Sequence, residues 1–231
     1  MGNKRNVSID IAKGIGILLV IIGHGAIPSW CKDAIFSFHM PLFFILSGYF
    51  FRSEKQLIRV KKDARRLLLP YVVTMAVITL YMLVVHQGIR HDGWYYMVNT
   101  LWFWIYPTGA PGGLNFIGPI WFLFALFWTK GTFNLIEKVH NLWFYIILVF
   151  IAFAPFYLYY LIGRDLPLAI SQGLISIVFF WAGYEWKKHE LSLGGSRFKA
   201  MLLICMALWV IGVMCSDLDV MRMIYHNYPL C

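Results

Sequence analysis

Apolar residues in this chain come in long runs separated by short polar stretches, and the run lengths carry the first message. A membrane-crossing helix needs about 20 consecutive apolar residues. On that measure seven spanning segments are predicted: 9–27, 35–51, 67–85, 119–136, 142–161, 166–186 and 198–215. The second is short and contains Pro41 and Gly48, so it is expected to be broken or tilted. The fourth is interrupted by Lys130 and Gly131. The expected fold class is all-α, a polytopic integral membrane helical bundle of about seven spans. It is read as one domain over 1–231. No small-residue cleavage site follows the first apolar run, which carries Lys13, so that run is expected to stay in place as a helix.

Composition narrows the picture further. The 231 residues are 60% hydrophobic and only 13% charged, too little polar surface for a water-soluble domain of this size. The formal net charge of +9 would suit a nucleic-acid partner, but its distribution argues against one. Fifteen of the Lys and Arg residues fall at the N-terminus and in alternate connections, seven of them in 52–66. The opposite connections hold only Lys32, Arg90, Arg164 and Arg222. Such a bias predicts a cytoplasmic N-terminus in a multi-pass protein of the plasma or inner membrane. The partner it implies is the lipid bilayer, with no nucleic acid. The four cysteines show no CxxC or metal-ligand spacing, so neither a disulfide framework nor a metal site is expected. Sequence leaves the oligomeric state open.

Between the third and fourth spans, 86–118 is rich in aromatics: Trp94, Tyr95, Tyr96, Trp102, Trp104 and Tyr106, followed by "PTGAPGG". Aromatics of this kind settle at the headgroup level, so an interfacial helix is expected. Part of a lid or acceptor site is the sharper alternative.

The candidate chemistry begins in the first span, "DIAKGIGILLVIIGH" (10–24). Lys13 and His24 are eleven residues apart, which on a helix puts them within about 20° of one face and about 16 Å apart along the axis. Lys13 then lies toward the cytoplasm and His24 toward the exterior. Each has a plain explanation. Lys13 could snorkel and pair with Asp10 at i,i+3, and His24 could end the helix in interfacial water. Both on one face of an apolar helix favours function, because intramembrane ionisable groups usually face a polar cavity. Gly14, Gly16, Gly23 and Gly25 would let a ligand or a neighbouring helix approach closely.

The same residues carry a resemblance. The K-x10-H pattern is similar to the first-helix signature of the membrane acyltransferase-3 family, in which the first position is usually arginine and sometimes lysine. "FSFHMPLFFILSGYFF" (36–51) resembles the family's second-helix pattern of paired phenylalanines followed by Ser-Gly. "RRLLLPY" (65–71) resembles its basic-to-proline entry into the third helix, and "IWFLFALF" (120–127) its Trp-Phe-Leu stretch. The wording is nearest the fucose 4-O-acetylase-like sugar O-acetyltransferases. The motifs cover the first ~130 residues, and the remainder matches by hydropathy alone. Members usually carry further C-terminal helices, so the resemblance implies that these are missing here.

The resemblance implies an integral membrane O-acyltransferase. Such an enzyme moves an acyl group, expected to be acetyl, from acetyl-CoA as co-substrate to a hydroxyl of an envelope or exported carbohydrate. His24 would be the general base on that hydroxyl, or the carrier of an acyl-histidine. Lys13 would assist catalysis and meet the donor. Arg66, four residues before the proline of its motif, and its neighbour Arg65 would hold the donor's phosphates. Ser47 is a candidate substrate contact, with small-residue helix packing as its plain reading. Trp121 either walls the substrate cavity or belts the interface. His39 is read as a satisfied helix-end residue ahead of a second site histidine. The runner-up from another class is a non-catalytic membrane protein: transporter-like, accessory, or an inactive remnant. The absence of matched broken helices in two halves argues against a transporter.

Overall fold

A computed structural model describes residues 7–89, 93–106, 120–139, 142–188, 218–219 and 224–225. The predicted seventh span, 198–215, and the "PTGAPGG" stretch lie outside the described residues. What is described is almost wholly helical, and the fold is that of an all-α membrane protein. Among the described residues, two helices are by themselves long and apolar enough to cross a bilayer: the continuous stretch Gln56–Val85, and Leu142–Ile162. The second has no charged residue in 21 and leaves Phe150 and Tyr160 open to the surroundings, Tyr160 at 83%. In water that exposure would be costly. In hydrocarbon it is the expected state.

The chain divides into two units, residues 1–51 with 179–231, and residues 52–178. In the first unit, α1 (Val7–Gly23) and α2 (Ser29–Tyr49) form an antiparallel hairpin. Its seam is built from glycines on α1 and phenylalanines on α2. A Cβ at Gly16 would lie 3.0 Å from the Phe43 ring, and one at Gly23 would lie 2.9 Å from Phe36. Both glycines therefore serve helix packing, whereas Gly14 has nothing within 4 Å. Helix α9 (Ile177–Lys188) contributes its residues from Phe179 onward and crosses α2 at backbone contact. A Cβ at Gly48 would sit 1.9 Å from the Phe180 carbonyl oxygen, and one at Gly183 would sit 1.8 Å from that of Ile45. Only glycine permits this crossing. A two-residue antiparallel pair, β1 (Leu218–Asp219) with β2 (Ile224–Tyr225), completes the unit's described elements.

In the second unit, α3 (Gln56–Asp63) runs through a π-helical turn (Ala64–Leu68) into α4 (Leu69–Ile89). Pro70 has no N–H to offer the Arg66 carbonyl, and the helix widens in the turn before it, with Leu69 N–H bonding back to Ala64 O. Helix α5 (Gly93–Ile105) packs along α4. Tyr71 donates to the carbonyls of Phe103 and Trp104 at 3.3 and 3.1 Å, and Trp104 Nε1 donates to Thr79 Oγ1 at 3.0 Å. Tyr71, Met75 and Phe103 form a core here, with Leu123 and Phe124 packed against it. The latter two belong to α6 (Trp121–Ile136), which is followed by α7 (Leu142–Ile162) and the short α8 (Ile170–Ile175). Helices α6 and α8 meet at Gly173, whose carbonyl accepts from Thr129 Oγ1 at 2.7 Å.

Several expectations are corrected. The second span starts six residues early and continues unbroken through Pro41. The basic connection 52–66 is mostly helix, because α3 prolongs the third span. The aromatic segment does form a helix, but α5 buries Thr100 and Phe103 against α4 and so is more than an interfacial belt. Helix α6 runs through Lys130 and Gly131 without interruption. The sixth segment, read as one span, is two helices preceded by left-handed Leu168 and Ala169.

Candidate active site

Lys13 and His24, picked out by spacing, lie toward opposite ends of the α1–α2 hairpin. Helix α1 ends at Gly23, so His24 occupies the turn just beyond, its N–H still bonded to Val20 O at 3.2 Å. The imidazole is exposed and lies 5.5 Å from the Phe36 ring, which in turn lies 5.3 Å from the His39 ring. His39 is buried inside α2 with Nδ1 2.7 Å from Ile35 O. A carbonyl can only accept, so that nitrogen carries the hydrogen and the tautomer is fixed. His39 is thus satisfied, though in mid-helix rather than at a helix end.

At the other end of the hairpin the Lys13 ammonium lies 4.3 Å from the centroid of the Phe50 ring. Sequence reading named Asp10 as its partner and overlooked the ring. The signal was available in the second aromatic after Ser-Gly, which an antiparallel pairing of α1 with α2 brings opposite Lys13. Ser47 is half-buried, one residue before the α2–α9 contact. The glycine that follows it in the motif has a structural duty, since Gly48 is where α9 crosses.

The remaining candidates lie in the second unit. Arg65 and Arg66 are exposed on the widened π turn, their side chains available to anions. Trp121 is 1% exposed at the start of α6, so it does not belong to an interface belt. Beside the two arginines, sequence reading missed a polar junction between α3 and the C-terminal half of α6. Asp63 (2% exposed) lies 3.6 Å from Arg59 (4% exposed) and 3.4 Å from Lys130. Arg59 also donates to the Arg52 carbonyl. Asn134 accepts from Glu54 N–H at 3.2 Å and donates to Glu54 O at 3.0 Å and Gln56 Oε1 at 2.7 Å. Gln56 Nε2 reaches Gly131 O at 3.3 Å. Lys62 pairs with the Glu54 carboxylate, and that hydrogen bond, with the charges of Arg59, Lys62 and Arg66, holds the Glu54 carboxyl below the usual range against the opposing effect of burial. The i,i+4 spacing of Arg59 and Asp63 was visible in the sequence. Their burial was not.

In the connection between α7 and α8, Asp165 Oδ2 accepts from Gln172 Nε2 at 3.0 Å. Burial pushes its carboxyl up, partly offset by that bond. Leu168 N–H donates to Ile105 O at 2.6 Å, and Leu168 O accepts from Trp128 Nε1 at 3.1 Å.

Comparison with known proteins places this arrangement. A family model described as an acyltransferase domain matches residues 6–231. The nodulation protein NolL of Mesorhizobium japonicum is 41% identical over 85 residues, which is 29% of this chain and 22% of that protein. Its namesake in Sinorhizobium fredii is 40% identical over 58 residues, covering 20% of this chain and 16% of that protein. The chain thus spans about a fifth of the length of the curated relatives it matches. No solved structure matches it. With the family match running nearly end to end, the chain belongs to the acyltransferase-3 family of membrane-embedded acyltransferases.

Proposed function

We propose that the protein is an O-acyltransferase of the plasma or inner membrane, with its N-terminus cytoplasmic. It would transfer an acyl group, acetyl being the simplest, from acyl-CoA to a hydroxyl of an envelope or exported carbohydrate. The observation that supports this most is the pair of ionisable residues held at the two ends of the α1–α2 hairpin, an exposed imidazole at one and an oriented ammonium at the other. A carbohydrate hydroxyl is a weak nucleophile at neutral pH. In the proposed step the His24 imidazole takes the hydroxyl proton as the oxygen attacks the thioester carbonyl. The C–S bond then breaks, and the leaving thiolate takes the proton from the imidazolium. Lys13, Arg65 and Arg66 supply cations for the phosphates of coenzyme A, and the two arginines have the exposed guanidinium that suits such binding. Ser47, half-buried on α2, is proposed as a contact for the acceptor.

The test is thioester consumption by the purified protein supplied with acetyl-CoA and membrane glycans. His24→Ala is expected to abolish transfer, a loss of at least the ~100-fold typical of removing a general base, with insertion and expression unchanged. Wild-type turnover in His24→Ala would remove the base from His24.

A further inference from the structure

The end of α2 is held with unusual firmness for a helix terminus. Phe50 N–H bonds to Leu46 O at 3.3 Å and Phe51 N–H to Gly48 O at 2.9 Å, which closes the last turn. Phe51 is buried edge-on between Phe180 (5.4 Å) and Tyr184 (6.0 Å). Gly48 and Gly183 lock the helix backbones together one turn back. Tyr49 stands edge-on to both Phe50 (5.2 Å) and Trp186 (5.4 Å). Phe50 itself does little for this packing, because 46% of its surface is open. What covers it is the ammonium of Lys13, 4.3 Å from the ring centroid.

We infer that Phe50 is a positioning residue for Lys13, presenting the ammonium to a phosphate group. Lysine is a compact charge on a flexible four-carbon stem, and a free one would sweep a wide arc. An aromatic face attracts a cation through its quadrupole, while an aliphatic side chain of similar bulk does not. Fixed to a rigid helix end, the ring lowers the ordering cost that Lys13 would otherwise meet on binding an anion. This rests on the reading that the donor is an acyl-CoA, whose phosphates are one source of such an anion. The headgroup phosphates of anionic lipids are the other, since lysines over aromatics also anchor helices at interfaces.

The experiment uses the full chain in nanodiscs of phosphatidylcholine or of phosphatidylglycerol, with coenzyme A as the probe. Phe50→Leu is expected to raise the Kd for coenzyme A, and the KM for acetyl-CoA, by about three- to tenfold with kcat unchanged. Phe50→Tyr should bind like the wild type. Lys13→Met should weaken binding at least as much as Phe50→Leu, and the double variant should be no weaker than Lys13→Met alone, because the ring acts through the lysine. Should Phe50→Leu fold poorly, replacing Phe50 by mono-, di- and trifluorophenylalanine keeps its shape and drains its face, and Kd should rise stepwise. Unchanged affinity in Phe50→Leu or across the fluorinated series, with Lys13→Met impaired, overturns the inference while leaving the donor reading intact. A loss of thermal stability in both Phe50→Leu and Lys13→Met confined to phosphatidylglycerol, with coenzyme A binding unmoved in both, upholds the positioning role and assigns the phosphate to lipid. No binding of coenzyme A by the wild type overturns the donor reading and this inference together.

Discussion

The α1–α2 hairpin and the α3–α6 junction hold charge in opposite ways. In the hairpin Lys13 and His24 sit far apart on an apolar scaffold whose fit comes from glycine against phenylalanine, and each meets an aromatic ring. At the junction, charges crowd together, and Asp63 lies between two cations while Asn134 ties the Glu54 backbone to the Gln56 side chain. The first arrangement leaves its charged groups accessible for work on something else. The second uses them up in holding two helices together. An ionisable residue in a membrane protein is thus not a site merely by being there; what matters is whether the protein itself already answers its charge.

The largest expected effect tests the scaffold side of that contrast. Gly48→Ala puts a Cβ 1.9 Å from the Phe180 carbonyl oxygen, and backbone cannot swing aside as a side chain can. The cost should reach or exceed the upper end of the ~1–3 kcal/mol typical of overpacking, read as a lowered thermal midpoint and reduced yield in detergent. Gly14→Ala, with open space at its Cβ, should leave both unchanged. Equal behaviour of the two would mean that α2 and α9 are not in contact through Gly48.

Next in size is the junction. Asp63→Ala leaves Arg59 and Lys130 without their shared carboxylate, and removing one partner of a buried ion pair costs about 3–5 kcal/mol. Replacing all three with apolar residues, Arg59→Met, Asp63→Leu and Lys130→Met together, should recover most of that stability, because no buried charge then remains. Failure of the triple variant to recover, measured by thermal unfolding in detergent, would show that the charges do more than answer one another.

The smallest effect is one of sign. The Glu54 carboxyl is held below its usual range, so its contribution is present at neutral pH and is lost as pH falls through that lowered value. The Asp165 carboxyl is pushed up by burial, so its ionisation costs stability as pH rises from the ordinary carboxylate value of about 4 through its raised one. Glu54→Gln should therefore blunt the loss of stability in acid, whereas Asp165→Asn should be neutral or stabilising at pH 7. Unfolding midpoints across the acid-to-neutral range check both signs, and a parallel response in the two variants would contradict the opposed environments.

Much of this was legible beforehand because lipid imposes a length on apolar runs that water does not. The run at 142–161 became a helix within a residue of its expected bounds, and the run at 67–85 lies inside a longer helix that begins at Gln56. The K-x10-H spacing survived too, since an unbroken helix fixes angle and rise. What sequence could not supply was the difference between a charge counted by sign and a charge counted by partner. Arg59 and Lys130 were both assigned to a solvated basic side, yet they converge on Asp63. The aromatics of 93–105 read as a belt because composition cannot distinguish a ring facing lipid, such as Trp102, from one facing α4, such as Phe103. The break near Leu168 had a clue in Pro167, which biases the residue before it away from helix, but hydropathy alone runs straight through it.

The π turn at Ala64–Leu68 has a last consequence for how this helix records its history. A π turn amounts to one residue more than an α-helix needs, which advances everything beyond it by about 100°. Residues before Ala64 and after Leu68 therefore keep separate phases. Arg59 and Asp63 are aimed at α6 by one phase, and Tyr71 and Met75 at their core by the other. A single-residue deletion within 64–68 would bring the two phases into register and turn one of these faces away from its partner, although every side chain outside the turn was kept. The motif "RRLLLPY" is in this sense a spacer as much as a set of cations, and its length is information of the same rank as its charges.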